Sequence, residues 1–117
     1  MQVYRKGTGI KYMPFNHFGM STQVIFNPDC GSEQANVTLS TLPKGSGSNP
    51  EVHPDSDQIF YMIRGEMCIR SEEDLQYVIS EGDAILIKAG DVHSVMNETE
   101  DDCSFVSITV PPLESTH

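Results

Sequence analysis

The feature that most constrains this chain is a succession of short runs rich in Val, Ile, Thr, Phe and Tyr, separated by clusters of Gly, Pro, Asp and Asn. Each run has the length of a β-strand and ends at a turn signal. No segment of helical length places apolar residues at helical spacing. The pattern therefore predicts an all-β sandwich or barrel of seven or eight strands. The predicted strands cover residues 20–26, 35–42, 58–64, 66–71, 75–79, 84–87, 92–96 and 104–110.

Length and charge limit the number of domains and the kinds of partner. At 117 residues, the chain is expected to form one domain over residues 1–117. Its 17 acidic and 7 basic residues give a net charge of −10. This balance disfavours nucleic acid, because phosphate binding depends on clustered Lys and Arg. No apolar stretch approaches the roughly 20 residues of a membrane helix, and no signal-peptide run is apparent, so we expect a cytoplasmic protein without a membrane partner.

The three cysteines, Cys30, Cys68 and Cys103, form neither a C-x-x-C pair nor an even disulfide framework. Reduced thiols are the expectation for such a set. Cys68 and Cys103 lie in apolar runs and are predicted to be small core residues. Cys30 lies in a turn, with no Lys, Arg or His beside it in sequence to activate a thiol.

Two polar segments carry the residues suited to chemistry. Glu51 and His53 are two residues apart, so in an extended chain they point to the same side. Gln58 follows after a short turn, and His93 begins a strand just beyond a tight turn at Gly90, where a positive φ is expected. Taken singly, each has an ordinary alternative as a solvated, turn or core residue. Taken together, their spacing predicts that the four side chains converge inside a barrel.

At these residues the chain resembles the cupins, small β-barrels of two facing antiparallel sheets. The second cupin motif, G-x5-P-x-G-x2-H-x3-N, matches at Gly82, Gly90, His93 and Asn97, with Lys88 in place of the proline. The resemblance implies a single cupin domain, an all-β double-stranded β-helix or jelly-roll-like barrel. Its motif core covers residues 45–97, and residues 1–34 form an N-terminal arm and strands.

The first cupin motif, G-x5-H-x-H-x(3,4)-E-x6-G, matches at Gly45, His53 and Gly65 with its spacing intact. It departs at two positions, where Glu51 replaces the first histidine and Gln58 replaces the glutamate. These departures leave the formal charge of the ligand set unchanged, because the carboxylate has moved from the third position to the first.

In the cupins these motif positions hold a divalent metal ion, so the resemblance nominates Glu51, His53, Gln58 and His93 as ligands. One nitrogen donor of the usual set has become oxygen, which favours Mn²⁺ or Fe²⁺, with Zn²⁺ or Ni²⁺ as alternatives. Two histidines and one carboxylate also make the ligand set of non-haem iron sites. The alternative is that metal binding has been lost and an empty pocket remains.

Strand parity predicts which residues accompany the ligands. If Gln58 and His93 point inward, the side chains that share their faces line a mostly apolar cavity for a small molecule. Arg64 would bind an acidic substrate there, or would lie at a strand end in water. Tyr61 and Ile63 would then lie on the outer face, where cupins usually form a homodimer. The predicted substrate-binding residues are Phe60, Met62, Arg64, Val95 and Asn97.

Two classes of function fit these expectations. The first is a metal-dependent enzyme acting on a small organic substrate such as an acid. Fe²⁺ would imply dioxygenase-like chemistry, and Mn²⁺ would imply hydrolase, lyase or isomerase chemistry. The alternative is a non-catalytic module that binds or senses a small ligand, either metal-free or with the metal as an anchor. No other catalytic signature is present, and neither His17 nor His117 has a partner at a telling spacing.

Overall fold

A computed structural model of the protein describes residues 1–113 and contains two antiparallel sheets. The only helical segment in this part of the chain is a 3₁₀ turn at Pro28–Cys30. The eight predicted strands are confirmed, each to within one residue at either end, and three strands of two residues are added. The strands are β1 Lys11–Tyr12, β2 His17–Phe18, β3 Ser21–Phe26, β4 Asn36–Leu42, β5 Gly47–Ser48, β6 Asp57–Arg64, β7 Glu66–Ser71, β8 Gln76–Ser80, β9 Ala84–Ile87, β10 His93–Met96 and β11 Cys103–Val110.

The chain passes back and forth between the two sheets. One sheet has six strands in the order β1-β3-β4-β11-β6-β9, and the other has five in the order β2-β5-β10-β7-β8. This arrangement confirms the predicted all-β, jelly-roll-like fold, although the two sheets do not close into a strict barrel. The short strands β1 and β2 follow each other in sequence but join opposite sheets, so the N-terminal arm crosses from one sheet to the other.

Burial along β6 follows the two-residue period of a strand. Gln58, Phe60 and Met62 are buried, whereas Ile59 and Tyr61 are exposed. The alternation ends near Arg64, because the partner strand β11 places adjacent residues opposite Arg64 and Met62. The extra residue in β6 is a β-bulge, and it leaves both Ile63 and Arg64 exposed.

An apolar core fills the space between the sheets and ends at a polar cavity. Leu42, Met62 and Cys103 are completely buried, and Cys68 is also buried, as the cysteine pattern predicts. Phe60, Phe105 and Val95 belong to the core and also line the cavity, so the core forms one wall of the site. No helix in residues 1–113 is long and apolar enough to cross a membrane.

Candidate metal centre

Backbone pairing brings the two sequence motifs together. Glu51 and His93 form an isolated antiparallel bridge, in which the N–H of each donates to the carbonyl of the other at 2.9 Å. Residues directly opposite each other in an antiparallel pair project to the same face. The first motif is therefore fixed beside the second at the position of the candidate ligands.

The turn before β10 holds His53 in place. Gly90 has a φ of +89°, as predicted, and its N–H donates to the carbonyl of His53 at 3.0 Å. The Asp57 carboxylate accepts a hydrogen bond from the N–H of Ala89 at 2.8 Å, so this turn is tied to the start of β6 as well. Those backbone contacts place His53 next to the bridge between Glu51 and His93.

Glu51, His53 and His93 form a compact cluster of metal-binding groups. The Nε2 atoms of His53 and His93 each lie 3.7 Å from Oε1 of Glu51, and one ligand atom of each residue lies within 4.8 Å of the others. Their side chains are largely withdrawn from water, with exposed fractions of 16% for Glu51, 11% for His53 and 4% for His93. Two imidazoles and a carboxylate at these distances can surround a divalent ion.

Hydrogen bonding orients the imidazole of His93 in the way that a metal ligand requires. Its Nδ1 lies 3.1 Å from the carbonyl oxygen of Asp91, so the proton resides on Nδ1 and the lone pair on Nε2. That Nε2 atom is buried and has no hydrogen-bond partner among residues 1–113. Burial lowers the pKa of His93, which keeps the ring neutral. A neutral ring whose other nitrogen donates to a carbonyl is the usual form of a metal-binding histidine.

The carboxylate of Glu51 supplies the negative charge. Burial by itself raises the pKa of Glu51, but the interactions with His53, His17 and His93 outweigh it, so the pKa is lowered overall. An ionised carboxylate and the lone pair of His93 therefore face each other without a proton between them. A cation at that point relieves the repulsion, so the residues present fit a divalent metal.

Gln58 lies in the same cavity as Glu51 and His53. The Gln58 side chain is buried, and its Nε2 donates to Oγ1 of Thr109 at 3.1 Å. Its Oε1 is left without a hydrogen-bond partner within the described part of the chain. An unpaired amide oxygen can accept either a metal ion or a donor group of a ligand, and the assignment of Gln58 as fourth ligand stays a prediction.

The structure adds His17, a histidine to which the sequence pattern assigns no role. Its Nε2 lies 3.6 Å from Oε1 of Glu51, and its side chain is 9% exposed. Its Nδ1 lies 2.7 Å from the carbonyl oxygen of Phe15, so a neutral His17 also directs the lone pair of Nε2 toward the carboxylate. The spacing of His17 from its neighbours in sequence does not predict its contact with Glu51, because the contact depends on long-range strand pairing. The other unassigned histidine, His117, lies outside the described residues.

A clamp between two asparagines positions His17. Asn16 adopts a φ of +65°, a left-handed conformation that asparagine tolerates better than most residues. Its Nδ2 contacts the carbonyls of Asn49 and Pro50 at 3.3 and 3.1 Å, and its Oδ1 accepts from Nδ2 of Asn49 at 3.2 Å. The backbone N–H of Asn49 donates to the carbonyl of Asn16 at 3.0 Å. Because Pro50 directly precedes Glu51, the clamp sets His17 beside the carboxylate.

Two of the five predicted substrate-binding residues line the cavity, and three do not. Phe60 and Val95 are in its wall. Met62 is completely buried in the apolar core, and Asn97 is buried with its amide bonded to the carbonyls of Leu42 and Asp101. Arg64 is 63% exposed and lies 3.9 Å from Asp102, because the bulge in β6 turns it outward.

Polar residues outnumber apolar ones in the lining of the cavity, contrary to the mostly apolar lining expected from strand parity on β6 and β10. The cavity measures about 70 Å³ and opens to solvent, so a ligand larger than a few water molecules extends out of its mouth. The expectation is wrong because β4 and β11, whose inner faces carry hydroxyl and amide groups, supply much of the wall. The polar residues of the lining are Tyr12, His17, Thr22, Asn36, Thr38, Ser40, Glu51, His53, Gln58, Ser107 and Thr109.

Comparison with solved structures finds the same fold in proteins of low sequence identity. The first is a predicted oxalate decarboxylase from Thermotoga maritima, 18% identical over 95% of this chain and 100% of that one, with a TM-score of 0.80. The second is KdgF from Halomonas sp., 16% identical over 97% and 96%, with a TM-score of 0.81. The third is the polyketide cyclase RemF from Streptomyces resistomycificus, 13% identical over 100% and 84%, with a TM-score of 0.86.

Sequence comparisons identify the family without assigning an activity. No curated protein matches the chain at a significant level. Residues 38–109 match the family described as Cupin domain, a segment that includes Glu51, His53, Gln58 and His93 but not His17. The chain therefore belongs to the cupin domain family.

Proposed function

We propose that this protein is an enzyme in which Glu51, His53 and His93 hold a divalent metal ion and a small organic substrate reacts without net oxidation. The observation that carries the proposal is the surroundings of Oε1 of Glu51. The Nε2 atoms of His17, His53 and His93 lie 3.6, 3.7 and 3.7 Å from this one oxygen. The hydrogen bonds at Nδ1 of His17 and His93 orient two of these nitrogens as lone-pair donors, which suits a bound cation.

The donor set favours Mn²⁺ or Fe²⁺ as the metal. Two imidazoles and one carboxylate contain one nitrogen donor fewer than the three imidazoles and one carboxylate of the usual cupin set, and oxygen-rich sites suit these ions better than copper. Zn²⁺ and Ni²⁺ are the alternatives to be tested by competition.

When bound, the metal supplies a Lewis acid that polarises an oxygen of the substrate. The chain contributes the remaining functions. His17 lines the cavity with its Nε2 lone pair, where it can accept a hydrogen bond or a proton from a substrate hydroxyl. Phe60, Val95 and Phe105 close the cavity on the side of the core and exclude water there. A proton acceptor beside the metal favours lyase, isomerase or hydrolase chemistry over oxygenase chemistry.

Two of the similar structures support an enzyme rather than a binding module. They are named as a predicted oxalate decarboxylase and a polyketide cyclase, and both share the fold of this chain over at least 95% of its length. Since one fold hosts many reactions, these names support catalysis and do not select the reaction.

Elemental analysis of protein purified without chelator tests the metal site. We expect one divalent ion per chain in the wild type and its loss in Glu51→Gln and His93→Gln. Glu66→Gln is the matched control, because Glu66 is exposed on β7 and should leave the metal content unchanged. A wild type that takes up no metal after reconstitution, or a Glu51→Gln variant that retains a full equivalent, contradicts the proposal.

Oxygen consumption separates the two kinds of metal chemistry. Protein loaded with Fe²⁺ is mixed with candidate substrates in an oxygen electrode, and product is measured with and without oxygen. We expect turnover that does not depend on oxygen. Turnover that stops without oxygen would establish dioxygenase-like chemistry, and metal binding without turnover of any substrate would favour the ligand-binding module.

A further inference from the structure

We propose that the substrate is a small polyhydroxylated molecule, such as a sugar or polyol, whose hydroxyl groups donate hydrogen bonds to Asn36 and Gln58. The proposal deepens the proposed function and rests on it for the role of the metal. It is carried by a different part of the cavity, the inner face of the six-stranded sheet.

A continuous polar row crosses three neighbouring strands of this sheet. Asn36 on β4 lies directly opposite Thr109 on β11, and Thr109 lies directly opposite Gln58 on β6. All three side chains line the cavity. Because neighbouring strands are about 4.8 Å apart, the backbones of Asn36 and Gln58 are roughly 10 Å apart, so the row can contact several groups of one ligand.

Further hydroxyl groups continue the polar surface toward the core. Thr38 lies opposite Ser107 in the next row, and both line the cavity. Beyond them, Oγ1 of Thr22 and Oγ of Ser40 lie 2.7 Å apart and satisfy each other. Inner faces of sandwiches are normally apolar, because a buried polar group costs free energy unless it is hydrogen-bonded. A wall of this composition suits a ligand that carries its own polar groups.

Two atoms of the row show which kind of polar group is missing. Oδ1 of Asn36 and Oε1 of Gln58 are buried, and neither has a hydrogen-bond partner among the described residues. Both are acceptors only, so the missing partner must be a donor. The amide nitrogen of Gln58 already donates a hydrogen bond to Thr109, which fixes the orientation of the side chain and leaves its oxygen free to accept from a ligand. Hydroxyl groups of a ligand satisfy these two atoms.

The charges around the cavity argue against a ligand recognised by a carboxylate. Among the described residues that line it, none is Lys or Arg, and Arg64 is turned away to Asp102. The lining contains one carboxylate, Glu51, which is committed to the metal cluster. An uncharged hydroxylated molecule therefore fits the wall better than an organic acid does.

Titration with polyols that differ only in hydroxyl groups tests the proposal. The probes are D-xylose, erythritol and tetrahydropyran-2-ol, which has the ring of xylose but only its anomeric hydroxyl. Each is added to ¹⁵N-labelled protein in zinc-loaded and metal-free forms, and amide NMR shifts are followed. We expect a polyol to shift signals from β4, β6 and β11 and to bind at least about tenfold more tightly than tetrahydropyran-2-ol, since the latter leaves buried acceptors unpaired.

Variants on β4 distinguish the loss of polar groups in the cavity from a general loss of stability in the strand. Asn36→Leu and Thr38→Val remove inward polar groups of β4, and each should weaken polyol binding about tenfold while zinc content stays at the wild-type level. Thr41→Val is the control, because Thr41 is on the same strand but contacts Ser104 on the other face. Thr38→Val keeps the test valid if Asn36→Leu fails to fold.

The outcomes distinguish this proposal from the proposed function. Failure to bind zinc, with polyol binding intact, contradicts the metal site and leaves the polyol site standing. The polyol proposal is overturned if neither polyol binds either form, if tetrahydropyran-2-ol binds as tightly as xylose, or if Asn36→Leu and Thr38→Val both bind like the wild type.

Discussion

At the scale of single residues, His17 offers the sharpest test of how the metal centre is built. Its imidazole faces the same oxygen of Glu51 as the two clustered histidines, but it lies outside the group of three ligand atoms that can share one ion. We therefore expect His17 to lie beside the ion as a proton acceptor and not as a ligand. His17→Ala should keep one metal per chain and lower the metal affinity about 10- to 100-fold, the usual effect of removing a side chain that contacts a ligand of the metal.

Competition with a fluorescent chelator measures this affinity. Lys11→Ala is the control, since Lys11 lies on the same N-terminal arm and is exposed. An affinity equal to that of the wild type would show that His17 is not part of the metal centre. Complete loss of metal would instead make His17 an obligatory ligand.

The cysteines provide a second prediction, which concerns pH. Burial, followed by the negative charge of Asp102, raises the pKa of Cys103 from 9.0 to about 11, and burial also raises the pKa of Cys68. Because the thiolate is the reactive form, iodoacetamide at about pH 8 should label only the exposed Cys30 in the native protein and all three cysteines in urea. Mass spectrometry counts the labels.

The raised pKa of Cys103 also gives the sign of a stability change. The unfolded chain releases the thiol proton near pH 9.0, whereas the native protein retains it to about pH 11. The contribution of Cys103 is therefore present below pH 9.0 and is lost as the pH rises toward 11. Rapid labelling of Cys103 in the native protein at neutral pH would contradict the buried position.

At the scale of elements, the bulge at the end of β6 decides which residues enter the cavity. Gly65 follows it with a φ of +75°, and a Cβ added there would lie 2.8 Å from Cβ of Cys103 and 2.9 Å from the carbonyl oxygen of Asp102. We expect Gly65→Ala to lower the free energy of unfolding by about 2–4 kcal/mol, from backbone strain and overpacking together.

Gly82→Ala separates the two causes. Gly82 has a φ of +87°, but nothing lies within 4 Å of an added Cβ. Its substitution should therefore cost only the backbone strain, about 1–2 kcal/mol. Urea unfolding of both variants measures the difference, and equal losses would show that contact with β11 is unimportant.

The long strands could be predicted from the sequence, and the short ones could not. Runs of four to eight β-forming residues bounded by turn signals carry their own signal, and all eight are confirmed. The two-residue strands β1, β2 and β5 form only because a partner strand is already in place. His17 lies on β2, so the sequence offered no means of connecting it with Glu51.

The candidate ligands could be predicted because a family motif fixes their spacing, but the character of the cavity could not. β4 and the end of β11 alternate polar and apolar residues, but the usual rule turns the apolar face inward, so their polar wall is the reverse of what the alternation predicts. Arg64 lies outside the cavity because β6 contains one extra residue, a bulge that strict alternation of inward and outward side chains does not predict. Asn97 does point inward, but its side-chain amide is fully hydrogen-bonded. Its Nδ2 donates to the carbonyls of Leu42 and Asp101, and its Oδ1 accepts from the N–H of Thr99.

At the scale of the whole molecule, the net charge and the outer face of the six-stranded sheet together determine where two copies of the chain can associate. Two chains that each carry a charge of −10 repel one another, so contact is least costly where neither presents a charged group. The middle of the outer face of β6, β9 and β11 is such a surface, and the ion pair of Asp57 and Lys88 lies at one end of it. Ile59 lies opposite Leu86 and Ile108, and Tyr61 lies opposite Ala84 and Val106.

We expect the protein to form a homodimer through this face. Ile59, Tyr61 and Leu86 are 39%, 46% and 56% exposed, a contiguous apolar surface of the kind that marks an interface. Light scattering after size exclusion should give twice the 13.0 kDa mass of one chain, and the double variant Ile59→Lys with Leu86→Lys should give the mass of one. Leu75→Lys is the control, because Leu75 is equally exposed but borders β8 in the other sheet, and should remain dimeric. A wild type that is monomeric at about 100 µM, far above the dissociation constant of a stable dimer, would contradict the homodimer.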